Sequence, residues 1–166
     1  ESSYGYIRPD TRAYMLWALS EAGELDTGMV LSLFEKREEL TIYSRALMLM
    51  NLQNLLYAGQ SSVKDFIKRL KSEIVSNQIV EDRWISFEEE TNYYWSLNTN
   101  RRTTAMVLMA LNRDNSDNPI LPNIVNFMVH SRTKRGLIHT QETAWILMSM
   151  LEYAKDHNAF TADFNF

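Results

Sequence analysis

Three histidines, at positions 130, 139 and 157, are the only imidazoles in the sequence, and there is no cysteine. Chemistry at neutral pH draws on few side chains: imidazoles, thiolates, paired carboxylates, activated hydroxyls and metal-ligand sets. Without Cys there is no thiolate nucleophile, no disulfide and no thiolate metal site. His130 and His139 flank one loop with no third ligand nearby in sequence, so a zinc site is not expected. The carboxylates stand mostly in runs, Glu35-Lys-Arg-Glu-Glu39, Glu81-Asp82 and Glu88-Glu-Glu90, which is the pattern of solvated faces. Ser44 and Ser149 have no His in a neighbouring motif, and no glycine-rich phosphate loop occurs. Asp10 and the stretch His139-Thr140-Gln141-Glu142 each precede an apolar segment. They read as helix caps, which satisfy the free amides of a first turn. The residues thus nominate no catalytic, cofactor-binding or metal-binding group.

The elements that would position any chemistry are helices built on a repeat. Four segments align without gaps: Thr11-Arg-Ala-Tyr-Met-Leu-Trp-Ala-Leu19, Ser44-Arg-Ala-Leu-Met-Leu-Met-Asn-Leu52, Thr103-Thr-Ala-Met-Val-Leu-Met-Ala-Leu111 and Glu142-Thr-Ala-Trp-Ile-Leu-Met-Ser-Met150. Each has Ala at its third place, Leu at its sixth, and Leu or Met at its ninth. Seven of the nine Met fall inside these windows, as adaptable fillers of a packed layer. Such segments are apolar nearly all round and predict buried helices. Between them lie segments of a different kind. Ser61 to Ser76 carries Val63, Phe66, Ile67, Leu70 and Ile74 at helical spacing among Lys and Arg, the pattern of an amphipathic covering helix. Pro122 to Ser131 and the shorter Thr27 to Lys36 repeat it, with turns at Gly23, Gly59 and residues 115–119. Buried and half-exposed helices that alternate in this way stack into an α-solenoid or close into an α/α toroid.

The second interval of the repeat holds an insert of roughly 20 residues, Asn77 to Thr99. It contains Trp84, Phe87, Tyr93, Tyr94 and Trp95, and reads as two short strands, Arg83–Phe87 and Tyr93–Leu97, flanking the charged Glu88–Glu90. Its aromatics would serve either as a binding surface or as pins to the helical body.

Composition agrees with a helical fold. The chain has 166 residues, 45% of them hydrophobic, with only five Gly and three Pro, a poor supply for a turn-rich β fold. The hydrophobic fraction and the modest net charge of −4 rule out a largely disordered chain, and the absence of a basic surplus speaks against a nucleic-acid binder driven by bulk charge. No secretion signal is visible, and the longest apolar stretch, near Ala46 to Met50, falls far short of a membrane span. The start at Glu1 and the strand-like alternation from Phe160 to Phe166 suggest a piece of a longer protein.

The quoted segments have a specific likeness. Thr103 to Leu111, Asn118-Pro, a helix from Leu121 to Arg132, Arg135-Gly-Leu-Ile-His-Thr-Gln-Glu-Thr-Ala144 and Leu151-Glu-Tyr153 resemble the closing part of the thioester domain of the alpha-2-macroglobulin family. That family has a Thr-Ala helix, a Pro-bearing connection, and a helix ending near Arg. A Gly-aromatic-x-Ser/Thr-Thr-Gln segment then precedes a final helix. Here Leu137 stands where an aromatic is common and His139 where Ser is common. Asp10 to Gly23 is similar to the Asp-Thr-Arg-Ala-Tyr helix of bacterial members. The likeness spans residues 9 to 157 and is most specific between 95 and 155.

The resemblance implies an all-α fold, an α/α toroid of about six helical hairpins, of which this chain would hold roughly the last three and a half. Residues 1–157 would be the closing portion of that thioester domain, and 158–166 the start of a following β-domain. The implied function is that of a large protease trap. Cleavage of a bait segment elsewhere releases a strained, desolvated Cys–Gln thioester that acylates the attacker. The Cys-x-Glu-Gln motif lies near the beginning of the family's toroid and is absent here, so no catalytic residue carries over and the chain itself is expected to be no enzyme. Either the motif lies upstream of Glu1 or the parent is a thioester-less member. Implied partners are target proteases, met by the full-length protein, and other domains of the same chain. No nucleic acid is expected, and a dimer through uncovered apolar helix faces is. No Asn-x-Ser/Thr sequon occurs, and with zero Cys this fits an extracytoplasmic bacterial parent better than a plasma protein. Two other readings stand beside it: an enzyme on the same toroid (glycosidase, prenyltransferase or terpene cyclase), and a helical-repeat scaffold without chemistry.

Overall fold

A computed structural model describes residues 7–89, 98–131 and 140–157. The described residues are mostly helical, with one small antiparallel hairpin, and the chain divides into two compact units, Glu1–Ser76 and Asn77–Phe166.

The first unit contains α1 (Pro9–Glu21), α2 (Thr27–Phe34), α3 (Ile42–Tyr57) and α4 (Lys64–Val75), with 3-10 turns at Arg37–Glu39 and Ser61–Val63. Pro9 opens α1 with its φ already helical. Asp26 caps α2, its Oδ1 accepting the Met29 N–H at 2.8 Å. Two helices stop by the same device. After α1 the Gly23 φ is +89° and the Glu24 N–H reaches back to the Leu19 carbonyl; after α3 the Gly59 φ is +94° and the Gln60 N–H reaches the Leu55 carbonyl. A Cβ added at Gly59 meets nothing within 4 Å, so only backbone strain opposes it. Gly59→Ala is therefore expected to cost about 1 kcal/mol, read as a lower urea midpoint with unchanged slope.

Hydrogen bonds fix the direction in which α1 and α3 pack. The Asp10 carboxylate, near the start of α1, accepts the Thr41 N–H (3.0 Å) and hydroxyl (2.9 Å) just before α3. In mid-helix, Asn51 Nδ2 donates to the Ala13 carbonyl, and at the far end Asn54 Nδ2 donates to Ser20 Oγ and Glu21 Oε1. Start meets start and end meets end, so the two helices are parallel, and the short α2 makes the return. The amphipathic α4 lays Ile67, Leu70 and Ile74 against α3, each such burial contributing about 1.5–3 kcal/mol. Phe34 of α2 meets Phe66 of α4 with ring centroids 4.7 Å apart, and the buried Arg37 spans this seam to Glu73 at 3.1 Å.

In the second unit β1 (Gln78–Glu81) and β2 (Trp84–Phe87) precede α5 (Asn100–Asp114), α6 (Leu121–His130) and α7 (Thr140–Asp156). The strands pair from Gln78 with Phe87 to Glu81 with Trp84. β2 falls within the expected strand Arg83–Phe87, and β1, which is not among the expected strands, pairs with it from the preceding segment. The turn between β1 and β2 is Asp82-Arg83. Asp82 adopts φ +51°, which Asp tolerates better than most residues, and this permits so tight a reversal. Tyr93–Leu97 lies outside the described residues, as does 158–166. β2 is held to α5 by Thr104, whose Oγ1 accepts the Phe87 N–H at 3.0 Å and donates to its carbonyl at 3.2 Å.

Helices α5 and α7 are also parallel. At their starts Glu142 of α7 meets Thr99 and Arg101; at their ends Arg113 meets Glu152 and Asn112 meets Asp156. Again the intervening helix, α6, returns the chain.

The repeated helices are not all buried as their composition suggests. In α3 residues 46–53, and in α5 residues 102–112, every side chain is buried. In α1, Tyr14, Met15 and Leu19 are exposed, and in α7, Leu147, Met148 and Leu151 are exposed. Composition sets what a helix is able to bury; neighbours decide how much of it is covered.

Candidate functional site

The residues singled out for chemistry are dispersed and structurally committed. His130 and His157 are exposed, and the Nδ1 of each lies within 2.9 Å of the carbonyl four residues earlier in its own helix, Asn126 and Tyr153 respectively. His157 stacks on Tyr153 and His130 on Trp84. His139 lies outside the described residues. Ser44 and Ser149 are buried, and Ser149 donates to the Ile146 carbonyl. Among the described residues no group of three or more His, Cys, Asp or Glu is placed to hold a metal ion, and no helix is long and apolar enough to cross a membrane.

Asp10 is not the cap of its own helix. It sits in the first turn of α1, after Arg8 and Pro9, and binds the Thr41 that precedes α3. Glu142 does the same in the second unit. It accepts the Thr99 hydroxyl on Oε2 (2.6 Å) and Arg101 Nη1 on Oε1 (2.9 Å), and both its side chain and that of Arg101 are nearly buried. Thr99 in turn caps α5 through the Arg102 N–H. Two parallel helix pairs are therefore latched at their starts by one device: a carboxylate in the first turn of one helix, bound to the Thr preceding the other.

The Arg101–Glu142 pair is nearly buried on both sides, with side chains 12% and 4% exposed. Around it, Thr103 Oγ1 is 3.2 Å from both Glu89 and Asn98, and Arg102 reaches Asn98 at 3.4 Å. The sequence carried two signals for this cluster. Arg101 and Arg102 stand at the start of a helix that is otherwise apolar. Glu142 occupies the first place of a repeat whose other copies have Thr11, Ser44 and Thr103 there. A charge inside a buried repeat requires a partner.

Compared with known proteins, the chain matches no family model, no curated protein and no solved structure. The reading of the site accordingly rests on its own geometry, and the repeat register supplies the rest. Counting places from Thr11, Ser44, Thr103 and Glu142, the helix that comes first in each pair uses its third, tenth and eleventh places: Ala13, Ser20 and Glu21 in α1, Asn112 and Arg113 in α5. The helix that comes second uses its eighth and eleventh: Asn51 and Asn54 in α3, with Ser149 buried and Glu152 bound in α7. The eleventh places meet in both pairs, Glu21 with Asn54 and Arg113 with Glu152. Within each unit, then, the first repeated helix packs through one face, its forward face, and the second through another, its rear face.

Among the insert's aromatics, Phe87 is fully buried as a pin to the body, whereas Trp84 is partly exposed on His130.

Proposed function

We propose that this chain is the closing portion of an alpha-2-macroglobulin-like thioester domain, an arc of an α/α toroid within a broad-range endopeptidase inhibitor, and that it is no enzyme by itself. The observation that carries the reading is the parallel packing, in the same repeat register, of α1 with α3 and of α5 with α7. A toroid of this kind needs one ring of parallel apolar helices and a second ring of return helices. The amphipathic α2, α4 and α6 have the composition of such returns. The Thr-Ala helix, the Asn118-Pro119 connection and the Gly136 to Glu142 run add the family's own order of motifs.

On this reading the acylating group is supplied from outside residues 1–166, and these residues hold their sector of the ring rigid around it. The buried Arg101–Glu142 pair and the Thr latches supply that rigidity, since a thioester protected from water needs an ordered scaffold. The parent would act outside the cytoplasm, where it meets foreign proteases.

The test is made on the parent protein. Labelled methylamine should be incorporated after protease treatment, at a Gln within a Cys-x-Glu-Gln motif upstream of Glu1. A thioester-less parent would show no labelling but would still retain the protease. An upstream region encoding sugar-binding modules would instead favour the glycosidase reading.

A further inference from the structure

Both faces of the repeated helix are buried in α3 and in α5, but α1 and α7 each leave one face open. In α1 the third, sixth and tenth places, Ala13, Leu16 and Ser20, are buried, while the fourth, fifth and ninth, Tyr14, Met15 and Leu19, are exposed. In α7 the pattern is reversed. The fourth, fifth and eighth places, Trp145, Ile146 and Ser149, are buried, while Ala144, Leu147, Met148 and Leu151 form an exposed stripe. Their spacing of three, four and seven residues is that of one helix face. The open face of α1 is its rear face, and the open face of α7 is its forward face. They are the two unlike halves of the interface that the chain already makes twice.

We propose that these two faces bind one another between copies of this chain, the forward face of α7 in one copy receiving the rear face of α1 in the next, with the helices parallel. The contact continues an interface established within the molecule, so its occupant is a helix of the same repeat. Because the two halves are unlike, the association is head-to-tail, and each copy keeps one open half for a further copy. This inference rests on the repeat register and burial, independently of the family reading.

Two substitutions on exposed side chains separate head-to-tail docking from every face-to-face mode. Met15→Glu removes the rear half and Leu147→Glu the forward half. In sedimentation velocity, the unaltered chain should grow past the dimer as concentration rises. Either variant alone should stay monomeric, with its association weakened at least tenfold. An equimolar mixture should recover a one-to-one dimer and stop there, because one functional half remains on each variant. Circular dichroism confirms that helicity is retained, and Met15→Gln with Leu147→Gln serves as a milder second pair. A chain that stays monomeric at every concentration overturns the proposal and assigns the faces to another occupant, such as further helices of a longer chain. A single variant that associates as the unaltered chain does, or a mixture that fails to dimerise, overturns it equally.

Discussion

Replacing Glu142 with Ala is expected to destabilise the second unit by about 3–5 kcal/mol, the cost of leaving a buried cation without its partner. Glu142 is 3% exposed and holds both Thr99 and Arg101. Its removal frees a charge that is poorly placed to reach water, because Arg101 Nε and Nη2 are themselves buried without a hydrogen-bond partner among the described residues. The same change withdraws the acceptor for the Thr99 hydroxyl, although the cap to Arg102 survives. The double variant Arg101→Met with Glu142→Leu should recover most of the loss, since it removes both charges and keeps the volume. Urea unfolding of Arg101→Met, Glu142→Leu and the double variant forms a cycle in which the coupling should exceed about 1.5 kcal/mol in magnitude. Near-additive losses would mean that the pair is hydrated and the latch is not what joins α5 to α7.

The second large effect comes from one repeat place read in two environments. Leu108→Ala empties a fully buried site and should cost about 2–5 kcal/mol, as should Leu49→Ala. Leu147 holds the same sixth place in α7 but is 61% exposed, and Leu147→Ala should change stability by no more than about 0.5 kcal/mol. Equal costs at Leu108 and Leu147 would show that the forward face of α7 is covered in solution by something of the same chain. A small Leu147 cost at low concentration that grows with protein concentration is the thermodynamic counterpart of head-to-tail docking.

Much of this architecture could be read from residue types. The Ala and Leu places marked every repeated helix, the amphipathic stripe of Lys64–Val75 marked α4, and Gly23 and Gly59 marked the stops. Those signals are local, because a helix face or a left-handed turn is specified by residues a few positions apart. What escaped depends on partners far along the chain. Asp10 looked like a cap for its own helix because the sequence does not show that Thr41 lies beside it. The strand β1 escaped because its role depends on a tight turn at Asp82-Arg83 that brings Gln78–Glu81 back against β2. The burial of α1 and α7 was overestimated for the same reason: apolarity announces that a face needs a neighbour, not that it has one. The Arg101–Glu142 latch lies where the sequence shows only an ordinary helix start, and a charge at the first place of the fourth repeat is its visible trace.

The functional account comes down to where inhibition resides, and one titration decides it: residual activity of an endopeptidase on a protein substrate, against increasing amounts of the full-length parent and, in parallel, of residues 1–166 alone. The account predicts that the parent suppresses activity to a stoichiometric end point while the isolated chain leaves it unchanged at any concentration. A parent that leaves the endopeptidase fully active, or an isolated chain that inhibits it unaided, would contradict the assignment.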